Sequence, residues 1–170
     1  GMPVAPRWDE IPSPRLTARA AVTGDVALKG SAGWFVREPT LVELFGDRGT
    51  ILGSPELRPE RGPSAELGAV WAPARALGAI DRVLVEADGF ATRAHDTIAL
   101  VSTAGYVARA LNVGDSSTYG AELVASARLA RTLSVTASYT HLATEQLTAD
   151  ASYANKALPR EPGDALYARA

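Results

Sequence analysis

The side chains that most often carry catalysis are scarce in this chain of 170 residues, which has no cysteine and two histidines, His95 and His141. His141 and Glu145 are four residues apart, but that spacing aligns side chains only on a helix, and the surrounding sequence alternates as a strand does. The sequence shows no glycine-rich phosphate loop, no Gly-x-Ser-x-Gly turn and no Asp-rich calcium loop. We therefore expect neither enzymatic activity nor a bound metal or cofactor.

A second set of chemically active side chains is charged and lies within stretches that alternate between apolar and polar residues. Successive side chains of a strand point to opposite faces of its sheet, so these charges share one face while the apolar residues occupy the other. Such a face lines a water-filled lumen in one architecture and meets bulk solvent in another. The residues assigned to it as lumen-lining are Lys29, Glu66, Glu86, Asp88, Glu122 and Arg128.

The elements that position these charges are predicted from the same alternation. Residues 132–140 have an apolar side chain at every odd position and Ser or Thr at every even one. Residues 119–129 and, with more exceptions, 83–91 follow the same plan, and the short polar segments 23–25 and 130–132 read as hairpin turns. The predicted fold is therefore all-β, an antiparallel up-and-down meander of about eight strands.

Two segments carry helical signals. Thr40 and Glu43 are spaced as a capping box and Gly46 follows them, which predicts one short helical turn near residues 40–45. Residues 64–77 are rich in alanine and begin with a capping Ser64, so a helix is an alternative to a strand there. Pro73 and two glycines in that segment favour the strand.

Composition excludes several classes of protein. Lys and Arg number 17 against 19 Asp and Glu, a net charge of −2 without a block of like charges, so nucleic acid is not an expected partner. Hydrophobic residues make up 46% of the chain but aromatic residues only 6%, which leaves little material for a conventional core. No run approaches the about 18 apolar residues of a transmembrane helix. The first six residues lack the basic and apolar regions of a signal peptide.

Alternation by itself fits two architectures. In a soluble β-sandwich the apolar face packs against a second sheet, whereas in a membrane barrel it faces lipid. Trp34, Trp71 and Tyr139 lie on apolar faces near predicted strand ends. A membrane barrel has its aromatic girdles at such positions, and a sandwich has core aromatics there. A soluble sandwich that binds a ligand is thus an alternative, and it predicts a monomer that is stable without detergent.

A composite motif distinguishes the two architectures. Residues 35–46 read Phe-Val-Arg-Glu-Pro-Thr-Leu-Val-Glu-Leu-Phe-Gly, and residues 53–60 read Gly-Ser-Pro-Glu-Leu-Arg-Pro-Glu. Both resemble the barrel of TonB-dependent outer-membrane receptors, where aromatic-x-Arg-x-Pro-Thr-x-x-Glu-Leu-Phe-Gly precedes Gly-Asn-Pro-x-Leu-x-Pro-Glu; Ser54 replaces the usual Asn. Weaker similarities follow in the order of the family, at Glu66-Leu67-Gly68, Asp96-Thr97-Ile98, Asn112-Val113-Gly114, Tyr119-Gly120-Ala121-Glu122, Ser138-Tyr139-Thr140 and residues 158–162.

The resemblance implies that residues 1–170 form a single partial β-barrel region, without the plug domain and the remaining strands. This region would be an arc from the later part of a large outer-membrane barrel of about 22 strands. The parent protein would lie in the outer membrane of a Gram-negative bacterium, in contact with its lipid. It would import a nutrient complex of the siderophore-iron or cobalamin type with energy from TonB, received through the plug. The fragment itself would not transport, and it could self-associate through its strand edges.

In such receptors, ligand contacts are expected from long extracellular loops on a rigid scaffold. The predicted loop regions are residues 37–63 and 142–163. Solvated loop charge is the alternative for each candidate contact, and for the motif residues Arg37, Pro39 and Glu43 a role in holding the shape of the loop is another. The candidate contacts to an anionic ligand are Arg37, Glu43, Arg48, Arg58 and Arg61.

Overall fold

The protein is described by a computed structural model over residues 11–47, 49–102, 107–130, 132–147 and 163–170. Ten strands and one short helix occupy these ranges. In chain order they are β1 (Arg15–Ala21), β2 (Val26–Arg37), α1 (Leu41–Phe45), β3 (Ile51–Leu52), β4 (Glu60–Trp71), β5 (Ile80–Ala94), β6 (Ile98–Ser102), β7 (Ala108–Asn112), β8 (Ser116–Leu129), β9 (Leu133–Gln146) and β10 (Asp164–Arg169).

Seven strands form one sheet in the order β1-β2-β4-β5-β8-β9-β10, and each neighbouring pair is antiparallel. The predicted antiparallel meander is therefore confirmed. The remaining strands form a small sheet, β3-β7-β6, in which β3 runs parallel to β7. Because α1 and β3 lie between β2 and β4, and β6 and β7 lie between β5 and β8, both insertions emerge at one end of the large sheet. We call this the loop end and the opposite one the turn end.

The turn end is closed by short connections with local hydrogen bonds. Between β1 and β2, the N–H of Val22 donates to the carbonyl of Val26 at 2.9 Å, and the Thr23 hydroxyl accepts from the N–H of Asp25 and of Val26. Between β8 and β9, Ala130 adopts a φ of 46°, which is in the left-handed region. These are the two turns predicted from the sequence, apart from Arg131, which lies outside the described residues.

Pairing register places the alternating residues on two chemically different faces. On one face, which we call the apolar face, leucine side chains are exposed: Leu16 is 75% exposed, Leu67 70% and Leu166 79%. Among the described residues no large side chain is fully buried, and the buried apolar residues are Ala27, Ala94, Ile98 and Ala110. The structure thus shows an open sheet with an uncovered apolar face, and the face-to-face packing of a soluble sandwich is not present in the described part of the chain.

The height of the apolar face is close to that of a bilayer's apolar core. On β4 the residues of this face from Pro63 to Trp71 are all apolar, a span of eight residues or about 27 Å along the strand at about 3.4 Å per residue. At the tilt of about 35–45° that strands have in membrane barrels, this length corresponds to a height of about 19–22 Å. Outer-membrane strands carry an apolar band about 25 Å tall. Trp34, Trp71 and Tyr139 lie on this face and are 37%, 40% and 42% exposed. Trp34 and Trp71 lie near the loop end and the turn end, where a membrane barrel has its aromatic girdles. Tyr139 lies in the middle of β9, opposite Leu123, so the position near a strand end predicted for it is wrong.

The helical expectations differ in outcome. The turn predicted near residues 40–45 is confirmed as α1, with a capping box between Thr40 and Glu43. The helical alternative for residues 64–77 is wrong, because β4 runs through to Trp71 and pairs with β2 on one side and β5 on the other. The backbone N–H and C=O groups of β4 find hydrogen-bond partners on both neighbouring strands. This pairing outweighs the preference of alanine for a helix. Within the described ranges, no helix is long and apolar enough to span a bilayer.

The loops are shorter and more ordered than expected. The predicted loop 37–63 contains α1 and β3, and β4 begins at Glu60, while β9 continues to Gln146 before residues 148–162, which lie outside the described ranges. β6 and β7 were not expected. Both are five residues long, and such short runs give a weak periodic signal.

Candidate functional site

The side of the large sheet opposite the apolar face, which we call the polar face, carries an ion cluster that reaches across three strands. The ammonium group of Lys29 on β2 contacts the carboxylates of Glu86 and Asp88 on β5, the latter at 2.9 Å. Gly68 on β4 lies between them in the register. A Cβ at this position would collide with the Asp88 carboxylate and lie 2.8 Å from Cε of Lys29. The glycine therefore leaves the room in which the pair forms across the intervening strand.

The other predicted lumen-lining residues share this face. Arg15 donates to the Ser31 hydroxyl at 3.1 Å and lies 3.9 Å from the Glu66 carboxylate. Glu122 is directly opposite Asp88 in the β5–β8 register, and Arg128 lies 3.8 Å from Asp81 at the turn end. All six predicted residues thus project from one side of the sheet, and their assignment to a lumen stays a prediction.

At the loop end, Arg37 holds two acidic residues. Its guanidinium donates to both carboxylate oxygens of Glu60, at 2.8 and 2.7 Å, and to those of Glu43 at 3.3 and 3.2 Å. The Glu60 side chain is 12% exposed and that of Arg37 38%. Glu60 also accepts the backbone N–H of Ile98 at 2.6 Å, so the pair connects the large sheet to β6. We call Arg37, Glu43, Glu60 and the groups they bind the loop-end network.

Glu43 ties α1 into this network. Its carboxylate accepts from the Thr40 N–H at 2.7 Å and the Thr40 hydroxyl at 3.0 Å, and its own N–H donates back to that hydroxyl at 3.3 Å. Partial burial raises the pKa of Glu43, but the hydrogen bonds from Thr40 and Arg37 outweigh it and leave that pKa below its ordinary value. The motif spacing Arg-x-Pro-Thr-x-x-Glu therefore brings one guanidinium and one capping box together.

Asp47 shapes the segment that leads to β3. Its carboxylate accepts from the Thr50 hydroxyl at 2.6 Å and from the backbone N–H groups of Gly49, Thr50 and Ile51 at 2.7 to 3.1 Å. Together these bonds hold the pKa of Asp47 well below its usual range, and the bond from the Thr50 hydroxyl has the largest effect. The carbonyl of Thr50 then accepts from the N–H of Ala108 at 2.8 Å, which places β3 beside β7.

Asn112 joins the two insertions. Its amide oxygen accepts from the Arg58 N–H at 3.0 Å, while its amide nitrogen donates to the carbonyls of Arg58 at 3.0 Å and Asp96 at 2.6 Å. A single side chain thus satisfies three backbone groups from two segments. No role was predicted from the sequence for Glu60, Asp47 or Asn112. Glu60 and Asn112 could have been found from their positions in the Pro-Glu and Asn-Val-Gly motifs.

We expect Asn112→Asp to loosen the loop end. The substitution replaces an N–H donor by an oxygen that faces two carbonyls, so it should cost about 2 kcal/mol locally. Hydrogen exchange of the amides in residues 50–61, 96–102 and 107–112 should accelerate by about 30-fold, while the β8–β9 amides remain protected. Asn112→Ala, which removes the bonds without adding repulsion, is the control and should accelerate exchange less. Equal exchange in Asn112→Asp and the unsubstituted protein would contradict the assigned role.

The five candidate ligand contacts do not converge on one point. Arg37 and Glu43 belong to the loop-end network, Arg58 is 76% exposed at its side chain and 3.5 Å from Asp96, and Arg61 is exposed on the apolar side of the sheet. Arg48 lies outside the described residues. Contact of any of the five with a ligand stays a prediction.

The two histidines each meet one carboxylate. Nδ1 of His95 is 2.9 Å from Asp115, and Nδ1 of His141 is 2.9 Å from Asp164. In the part of the chain that the structure describes, no group of three or more His, Asp or Glu side chains is arranged to hold a metal ion. What the described residues do form is a two-faced wall and an ordered cluster of loops at one end.

Comparisons with known proteins fit this arrangement. The chain has a fold similar to that of the copper transporter OprC, with a TM-score of 0.68 and 22% identity over 91% of this chain and 22% of that one. It is also similar to the FrpB iron transporter from Neisseria meningitidis (F3-3 variant), with a TM-score of 0.55 and 18% identity over 78% of this chain and 19% of that one. The chain thus spans about a fifth of the length of these two structures. No curated protein matches the sequence.

The sequence profile of one family covers nearly the whole chain. The family is described as "TonB dependent receptor-like, beta-barrel", and its profile matches residues 5–167. Its members are β-barrels of the outer membrane of Gram-negative bacteria. On the basis of this match, together with the open antiparallel sheet, the chain belongs to the TonB-dependent receptor-like β-barrel family.

Proposed function

We propose that this chain forms part of the barrel wall of an outer-membrane transporter that imports a small nutrient complex with energy from TonB. The observation that carries the proposal is the two-faced sheet, whose apolar band runs about 27 Å along β4 and whose other face holds the ion cluster of Lys29, Glu86 and Asp88. A wall between lipid and a hydrated lumen requires this division.

The free edges of the sheet support the idea that more strands complete the wall. All residues of β1 and β10 are exposed, and within the described ranges each of these strands has a partner on one side only. Lipid offers no hydrogen bonds to an unpaired strand edge, so a membrane barrel has to close. We propose a single partial barrel region, from the later part of the barrel, whose edges pair with further strands of the parent protein. Alone, the fragment would pair these edges with another copy.

The proposed cargo is a siderophore-iron or cobalamin-type complex. The two similar structures are named as transporters of copper and of iron, so metal-containing cargo suits the barrel type. The short turns define the end expected to face the periplasm, because outer-membrane barrels have their longer loops outside. Arg58 then lies at the extracellular end, where its exposed guanidinium group can meet an anionic complex.

Uptake by the full-length parent protein tests this proposal. The protein would be produced in a Gram-negative host without its own nutrient receptors, in strains with and without functional TonB. Uptake of radiolabelled ferric siderophores, cobalamin and copper would then be measured separately. We expect TonB-dependent uptake of a siderophore or cobalamin. TonB-dependent uptake of copper alone would overturn the cargo class, and a lack of TonB-dependent uptake of any of these would overturn the transport proposal.

A further inference from the structure

Two arginines lie directly opposite each other on neighbouring strands at the turn end of the polar face. Arg82 on β5 is paired with Arg128 on β8, in the same register that places Leu84 opposite Ser126. Side chains directly opposite in an antiparallel pair project from one face, with their Cβ atoms about 5 Å apart. Like charges at such positions repel each other and destabilise the pairing. The two guanidinium groups therefore call for negative charge close to both of them.

An irregularity in the strand pairing brings one carboxylate to this place. The β5–β8 register shifts between Ile80 and Arg82, so that Asp81 is an extra residue on β5. Extra residues of this kind redirect side chains, and they are frequent at barrel rims and beside functional sites. Here the Asp81 carboxylate comes to 3.8 Å from Nε of Arg128. The strand therefore departs from regular pairing at the point where the charges meet.

Asp81 does not complete the charge balance. Its distance from Nε of Arg128 is beyond that of a hydrogen bond, and this Nε is buried without a hydrogen-bond partner in the described part of the chain. Arg82 is exposed, and no carboxylate of the described residues lies within ion-pair distance of it. Two guanidinium groups thus share one carboxylate, which leaves one positive charge unmatched and one buried donor without an acceptor.

A groove with a volume of about 540 Å³ lies over these side chains. This volume is within the range of small-molecule sites. On β9, Ser134 is directly opposite Arg128, so the groove reaches across three neighbouring strands. Serine hydroxyls can donate a hydrogen bond to the same ligand that a guanidinium binds. The polar residues in the lining are Asp81, Arg82, Ser126, Arg128 and Ser134.

We propose that this groove binds a small oxyanion, with a carboxylate or phosphate group between Arg82 and Arg128. The planar fork of N–H donors on a guanidinium matches both groups, and an anion here would reduce the repulsion between the arginines and give the buried Nε an acceptor. The turn end is the end expected to face the periplasm, so an anionic cargo complex would meet this groove as it leaves the lumen. That role rests on the proposed function, whereas the anion site itself does not.

The test measures binding of inorganic phosphate and of citrate, in separate titrations, to the purified full-length parent protein in detergent. Isothermal titration calorimetry at constant ionic strength would compare the unsubstituted protein with Arg82→Gln and Arg128→Lys. Arg19→Gln is the matched control. Arg19 is exposed on the polar face of β1, directly opposite Lys29, and its loss changes the net charge equally.

We expect the dissociation constant to rise about tenfold in Arg82→Gln, the factor that corresponds to about 1.4 kcal/mol. Arg128→Lys, which keeps the charge but lacks the Nε donor, should weaken binding by a smaller factor, and Arg19→Gln should leave it unchanged. The ligand that binds more tightly identifies the group that the site prefers.

Three outcomes would contradict parts of this proposal. Equal binding in Arg82→Gln and Arg19→Gln would overturn the anion site and leave the transporter proposal standing. The same holds if neither ligand binds the unsubstituted protein, as would follow if a carboxylate of the parent protein already filled the groove. A lack of TonB-dependent uptake, measured separately, combined with intact anion binding would overturn only the role in cargo release.

Discussion

Leu123→Arg should destabilise the folded protein in a lipid bilayer by about 2–4 kcal/mol, the cost of an arginine on the lipid face near the midplane. Leu123 lies in the middle of β8, between Ala87 and Tyr139 on the neighbouring strands, and is exposed on the apolar face. Its charged replacement would face lipid, and the Asp164 carboxylate on the same face is already bound by the Tyr139 hydroxyl at 2.5 Å and by His141 at 2.9 Å. Urea unfolding of the full-length parent protein in lipid vesicles measures the effect.

The adjacent position provides the control. Val124 lies on the polar face, opposite Glu86 on β5 and Ser138 on β9. Val124→Arg adds the same side chain to the same strand, but in a position where water and the Glu86 carboxylate stabilise it, so the loss should be under about 1 kcal/mol. Similar losses for the two variants, or a larger loss for Val124→Arg, would show that the apolar face does not meet lipid.

Arg37→Ala should destabilise the loop end by about 2–3 kcal/mol. Removal of one partner of a buried ion pair costs about 3–5 kcal/mol, and the partial exposure of Arg37 reduces that figure. The substitution leaves Glu60 and Glu43 close together without a counter-charge, and Glu60 is the acceptor for the Ile98 N–H. Hydrogen exchange at Ile98 and in α1 should therefore accelerate by about 30- to 150-fold.

Two further variants separate charge from geometry. Arg58→Ala removes an arginine that is more exposed and makes one contact of 3.5 Å, while it retains the backbone bonds of residue 58 to Asn112. Its effect should be under about 0.5 kcal/mol. Arg37→Lys keeps the charge but cannot make the bidentate contact to Glu60, so it should recover only part of the loss. Unchanged exchange at Ile98 in Arg37→Ala, combined with weaker ligand binding, would favour the ligand-contact role predicted for Arg37.

Much of the large sheet could be predicted because its information is local. A period of two in side-chain chemistry assigns each residue to a face as soon as the segment is a strand. The polar positions of Lys29, Glu86 and Glu122 and the outward positions of Leu67 and Leu123 follow from parity along single strands. The helical turn at α1 was equally local, since its capping box joins residues three apart.

The boundaries of β4 show where local reasoning failed. The predicted loop extended to residue 63, and Gly62 and Pro63 are poor strand residues, whereas β4 begins at Glu60. Pairing with β2 on one side and the bridge to His95 on the other stabilise those first residues as strand. As a result Arg61, expected in a loop, lies in a strand and projects from the apolar side of the sheet.

The sequence by itself determined the alternation, the hairpin turns, the capping box and the motifs of the family, since each depends on residues close together in the chain. Only the tertiary structure decided which distant groups meet: Lys29 with Glu86 across 57 positions, Arg58 with Asn112 across 54, and β3 beside β7 in parallel. The physical reason is that strand pairing sets the register between segments far apart in sequence. Ion pairs and amide hydrogen bonds, which reach only about 3 Å, depend on that register.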